Sequence, residues 1–232
     1  MKKSRTASPC PSSRETIAGF CYLAFQFLVL PSLLFWSNDQ LSVPLSEAEL
    51  NFVYYLINFM AMLVIFHDFL GRSVAQAFRH PVNLLEAVIL GFVAYYACRY
   101  VTEHLIQLLI PGYTNYNDTS LAAMKHGNPF LMLIGTVILV PPFEECIYRG
   151  LIFRNLYGKN HWAAYILSIL AFSMIHITGY LGQYSPLELV MAFLQYLPAG
   201  FWLAWSCVRG DTILAPILIH AAVNYFTLTS MR

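Results

Sequence analysis

The sequence predicts an all-α, polytopic membrane helix bundle of about seven spans. Three observations carry this. The 232 residues are 58% hydrophobic and only 11% charged, whereas soluble domains carry about 25% charged residues, so the chain lacks the charge to cover a water-facing surface of its size. Apolar stretches of roughly 20 residues, the length that crosses a hydrocarbon core, recur along the chain between short polar segments. Aromatic residues reach 16%, as expected where rings sit among lipid headgroups.

In order, Met1–Arg14 is a polar, basic tail, and the apolar stretch after it is too long for the core of a cleaved signal peptide. The first span is therefore permanent and runs over Thr16–Trp36. The second is Leu50–Leu70, followed by a loop at Gly71–Pro81 that holds Arg72 and Arg79. The third is Leu84–Ile110, and polar Pro111–Asn128 is the longest loop. The fourth is Pro129–Tyr157, the fifth Trp162–Thr178 and the sixth Leu187–Val208. A tight turn at Arg209-Gly210-Asp211 leads into the seventh, Thr212–Thr229. Organisation follows as a tail (1–15), three accessory spans (16–127) and a C-terminal unit (128–232).

Loop charge sets orientation. With the N-terminus inside, the inner segments hold Lys2, Lys3, Arg5, Arg14, Arg72, Arg79, Arg154, Lys159 and Arg209, and the outer ones hold Lys125 and Arg232. The bias predicts a cytoplasmic N-terminus and agrees with an odd number of spans. A net charge of +1 without a basic run gives no basis for a nucleic-acid partner; the partner is the lipid bilayer. The five cysteines have no metal-ligand spacing, and the four in apolar stretches read as small hydrophobes.

Ionisable groups at membrane depth cost at least ~2.5–3.5 kcal/mol each on insertion scales, so those present need a reason. Span four carries Pro141-Pro142-Phe143-Glu144-Glu145 and Arg149, span five Phe172 and His176, span seven His220 and Asn224. At 1.5 Å per residue, Glu144 and His176 lie about 20 Å from the inner ends of their spans, and His220 and Asn224 about 12 and 18 Å along theirs. The four groups fall within one to two turns in depth and can meet in one pocket. Glu145 and Arg149 share a face four residues apart and can pair, Phe172 sits one turn before His176, and the two prolines must distort their helix, which membrane proteins tolerate where a helix lines a cavity. Arg99 and Glu103 read as a structural pair, and His67-Asp68 as interfacial.

Glu144-Glu145-x-x-x-Arg149, Phe172-x-x-x-His176 and His220-x-x-x-Asn224, in order and each in a separate span, resemble the three motifs of the CPBP family, the CAAX-protease and bacteriocin-processing (Abi) intramembrane proteases. The resemblance covers roughly Asn128–Arg232; the first three spans match only in being hydrophobic. It implies a four-helix catalytic core and an endopeptidase acting on a membrane-associated peptide or protein precursor. It also implies roles: Glu144 as general base, His176 holding the attacking water, His220 and Asn224 as oxyanion donors, and Glu145 with Arg149 holding helix and charge in place. No cofactor is expected. Two alternatives stay open. Zinc could be held by Glu144, His176 and His220, although His-Glu-x-x-His is absent; or the chain could be a non-catalytic bacteriocin-immunity protein. Short loops and no extra domain point to a bacterial cell membrane.

Overall fold

The computed structural model describes residues 8–231. Lys2, Lys3, Arg5 and Arg232, used in the orientation argument, lie outside the described residues, which form helices joined by short connections and contain no strand. The helices are α1 (Ser13–Leu28), α2 (Leu30–Asp39), α3 (Glu47–Ile65), α4 (His67–Arg79), α5 (Pro81–Leu109), α6 (Tyr116–Gly127), α7 (Pro129–Tyr157), α8 (His161–Thr178), α9 (Pro186–Gly210) and α10 (Leu214–Ser230).

Five of these, α3, α5, α7, α8 and α9, are long and apolar enough to cross a membrane, and α1 with α2 makes a sixth span bent by 45°. The seventh expected span is α10, whose 17 residues sit at the short end of the spanning range. The bend in the first span has a local cause. Pro31 has no N–H for the carbonyl of Phe27 one turn earlier, and the chain leaves helical geometry at Val29. The first span also starts earlier than its apolar stretch, because Ser12 and Glu15 form a reciprocal capping box.

The loops expected at Gly71–Pro81 and Pro111–Asn128 are largely helical, and the second span ends at Ile65, before the expected Leu70. His67–Arg79 is amphipathic, burying Phe69, Ser73, Gln76 and Ala77, so its polar residues mark a helix face, not a coil. Phe66 breaks it from α3. Buried Glu15 then accepts from the Phe69 N–H at 2.7 Å and pairs with Arg72 at 3.3 Å, pinning α4 to α1. Tyr116–Gly127 is capped by Asn115, whose side chain accepts from the N–H groups of Asn117 and Asp118, and it buries none of its residues. The turn expected at Arg209-Gly210-Asp211 falls later, because Arg209 and Gly210 end α9 and the chain turns from Asp211, in the left-handed region at φ 51°.

Helix α7 is the hub. Half of its central window is buried, against 17–33% for the other four unbroken spans, whose remaining faces carry apolar residues such as Val64, Val93 and Leu108 outward, as lipid requires. It packs against α1, α3, α8, α9 and α10. Met62 of α3, Phe69 of α4 and Tyr95 of α5 join Ile147, Phe172, Leu203 and Ile219 in one hydrophobic cluster. At Gly135 a Cβ would stand 2.8 Å from the Tyr55 ring, so glycine is what lets α3 come close to α7 at that level.

Candidate active site

Helix α7 is irregular on both sides of the α-helical turn that carries Pro141 and Pro142. Ile134–Leu139 winds as a π-segment, and Cys146–Arg154 as a second; such wide turns cluster at functional positions. In the first, Val140 donates its N–H to Gly135 rather than to Thr136. In that register the next donor, for the Thr136 carbonyl, would be residue 141, and Pro141 has no N–H. The orphaned carbonyl is filled from another helix: Asn224 of α10 donates its Nδ2 to Thr136 O at 2.8 Å. The contact fixes the Asn224 amide and leaves its second N–H uncommitted by that bond.

The double glutamate divides as its spacing requires. Glu145 is fully buried and accepts from Arg149 Nη1 at 3.0 Å, with both side chains at 0% exposure. Arg149 also reaches the carbonyls of Gly200 (3.2 Å) and Ala199 (3.4 Å) on α9 and lies 4.4 Å over the Phe172 ring. Glu145 does more than pair with arginine. Its Oε1 lies 2.9 Å from Nδ1 of His220. A carboxylate accepts only, so Nδ1 carries the proton and Nε2 points away from Glu145. Nε2 lies 3.9 Å from Glu144 Oε2, beyond direct hydrogen-bond reach but short enough for a water to join the two. That oxygen of Glu144 is buried with no hydrogen-bond partner among the described residues.

His176 is oriented by its own helix and by α9. Nδ1 lies 2.8 Å from the Phe172 carbonyl, which can only accept, so Nδ1–H is the donor and the neutral ring presents a bare Nε2. The ring stacks on Tyr196 with centroids 4.0 Å apart and planes at 25°, and against Phe172 at 4.8 Å. Tyr196 OH in turn bonds Asn115, the cap of α6.

Glu144, His176, His220 and Asn224 all border one cavity of about 210 Å³, so three helices do bring these groups together, while Glu145 and Arg149 stand behind them and hold His220. Neighbours that the motifs do not name share the cavity. Tyr55 enters from α3, and Asp118 from α6. Arg99 is paired with Glu103 at 2.6 Å as expected, but it also lines the cavity and donates to Thr227 Oγ1 at 3.0 Å. The one legible signal for Arg99 was a second charge pair at membrane depth. Nothing in the local pattern marks Tyr196 or Tyr55 among fifteen tyrosines. Among the described residues no group of three His, Cys, Asp or Glu side chains is arranged to hold a metal ion, so Glu144, His176 and His220 do not fit a zinc site as they stand.

Residues 126–226 match the model of the family described as type II CAAX prenyl endopeptidase Rce1-like. The matched segment contains every motif residue from Glu144 to Asn224, in agreement with the resemblance drawn from the three motifs. Beyond it, the chain is similar to the UPF0177 protein YbdI of Lactococcus lactis subsp. lactis (strain IL1403), 25% identical over 75% of this chain and 93% of YbdI. It is similar to YdiL of Bacillus subtilis (strain 168), provisionally named a membrane peptidase, at 31% identity over 42% of this chain and 36% of YdiL. It is also similar to the UPF0177 protein YaiH of the same Lactococcus strain, 27% identical over 61% of this chain and 52% of YaiH. No solved structure matches the chain.

Proposed function

We propose that this Rce1-like protein is an intramembrane endopeptidase that hydrolyses a peptide bond of a membrane-associated peptide or protein precursor with an activated water. The observation that carries the proposal is the single cavity shared by Glu144, His176, His220 and Asn224. The Rce1-like match and the resemblance to YdiL support the protease class. The residue roles are those the motif resemblance implies, and the geometry of the cavity supports them.

The water sits between Glu144 and the bare Nε2 of His176. As its oxygen bonds the scissile carbonyl carbon, one O–H bond breaks and Glu144 takes the proton, acting as the general base. His176 holds the water by accepting its other hydrogen. The carbonyl oxygen becomes an oxyanion and needs donors already in place; such donors contribute about 3–4 kcal/mol each. Asn224 offers the N–H not used on Thr136. His220 can donate from Nε2 only as the imidazolium, because its Nδ1 proton is committed to Glu145. Two carboxylates, Glu144 and Glu145, facing one guanidinium, Arg149, leave a negative charge that an imidazolium balances. Glu145 and Arg149 thus act through His220. The intermediate collapses as the C–N bond breaks and Glu144 returns its proton to the leaving nitrogen.

The cavity is bordered by Asp118 of α6 and Met231, at the same end of the bundle as the Pro111–Asn128 connection. With the N-terminus cytoplasmic, as the loop charges favour, the site opens toward the outer leaflet of a bacterial cell membrane. The test compares cell-envelope peptides from wild-type and His176→Ala cells by mass spectrometry. At least one precursor is expected to lose its cleaved form by about 10²-fold or more in the variant. Identical peptide profiles would contradict the proposal.

A further inference from the structure

Beyond the catalytic cavity lies a larger one of about 720 Å³, which shares Glu144 and His176 with it and extends to α1 and α3. Its wall on that side is polar at membrane depth. Gln26 Nε2 donates to Tyr54 OH at 2.8 Å, Tyr22 OH donates to Asn58 Oδ1 at 2.9 Å, and Asn58 Nδ2 donates to the Tyr54 carbonyl at 2.9 Å. Gln26 is only 5% exposed, yet its Oε1 is buried with no partner among the described residues, although Gln26 borders the cavity. A buried amide oxygen left unmatched costs about 1–3 kcal/mol, and a donor from a ligand in the cavity would offset that cost. The break at Val29–Pro31 lies beside it. Pro31 and Phe27 border the same cavity.

We infer that the α1–α3 wall around Gln26 is a subsite for the main chain of the substrate, in which Gln26 Oε1 accepts a peptide N–H of an extended segment leading away from the scissile bond. This rests on the endopeptidase reading and gives the first and second spans a role that their hydrophobicity does not reveal. An extended peptide offers one donor and one acceptor per residue, and a cavity of this size continuous with the catalytic glutamate accommodates several residues of it. The recognition is of backbone, so it is tolerant of side chains.

The test uses full-length protein in detergent and a mixture of internally quenched decapeptides of randomised sequence. Gln26→Leu is expected to raise KM about fivefold with kcat little changed. Gln26→Glu keeps an acceptor at this position and is expected to raise KM less than Gln26→Leu does. Thermal unfolding of each variant shows whether Gln26→Leu has only loosened α1 from α3. The same peptides, dye-labelled, are titrated by anisotropy against Glu144→Gln protein with and without Gln26→Leu. Binding about fivefold weaker in the double variant supports the subsite whether or not cleavage is seen. Equal binding, or no binding to either protein, overturns it, and does so independently of the catalytic reading, which is judged by cleavage and not by binding.

Discussion

Glu144→Gln is expected to lower kcat by about 10³-fold or more while leaving the fold intact. A general base contributes about 10²–10⁴-fold, and here the same carboxylate must also return its proton to the leaving nitrogen. Glutamine keeps the shape and polarity of the side chain. It loses only the ability to take a proton, and it faces a cavity, not a close-packed core. The variant should therefore unfold thermally near the wild-type temperature and still bind peptide, because the groups that hold the substrate elsewhere are untouched. Measured rates on internally quenched peptides, together with the melting profile, check both halves of the expectation. A Glu144→Gln protein that retains a tenth of wild-type kcat would remove Glu144 from the role of base.

Arg149 should give the opposite phenotype, a loss of stability. Arg149→Met removes the partner of a carboxylate that is entirely buried. Breaking a buried ion pair on one side costs about 3–5 kcal/mol, because the remaining charge stays desolvated. Two carbonyls of α9 lose a donor at the same time, and Phe172 loses the cation above its ring. The expected result is a destabilisation of about 3 kcal/mol or more, read by denaturant or thermal unfolding in detergent. Glu145→Leu combined with Arg149→Met should recover much of it, since both charges are then gone. The double variant should remain inactive, because His220 loses the carboxylate that orients its Nδ1. Recovered stability with recovered activity would contradict the assignment of Glu145 and Arg149 as supports of His220.

Residues whose relations are set within one helix were readable from the sequence. The four-residue spacing of Glu145 and Arg149 forecast their ion pair, and that of Phe172 and His176 their ring contact. Depths within one to two turns of each other in separate spans forecast that Glu144, His176, His220 and Asn224 meet. What could not be read depends on hydrogen-bond register and on helix-to-helix approach. The prolines forecast a distortion at Pro141, but not that a π-turn would strand the Thr136 carbonyl for Asn224 to fill. Arg72 and Arg79 suggested a loop, because charge in a short polar stretch looks alike in a coil and on the wet face of an amphipathic helix. The α1–α3 wall was hidden for a different reason. Gln26, Tyr54 and Asn58 are isolated polar residues in apolar spans, and only the packing of α1 on α3 joins them.

The central claim is that a water held by Glu144 and His176 attacks the peptide bond directly. Single-turnover cleavage of an internally quenched peptide in H₂¹⁸O, followed by mass spectrometry of both product and protein, tests it. The account predicts one ¹⁸O atom in the new C-terminal carboxylate of the product and none in the protein. Label appearing in the Glu144 carboxylate, the mark of an acylated glutamate that water later releases, would contradict it.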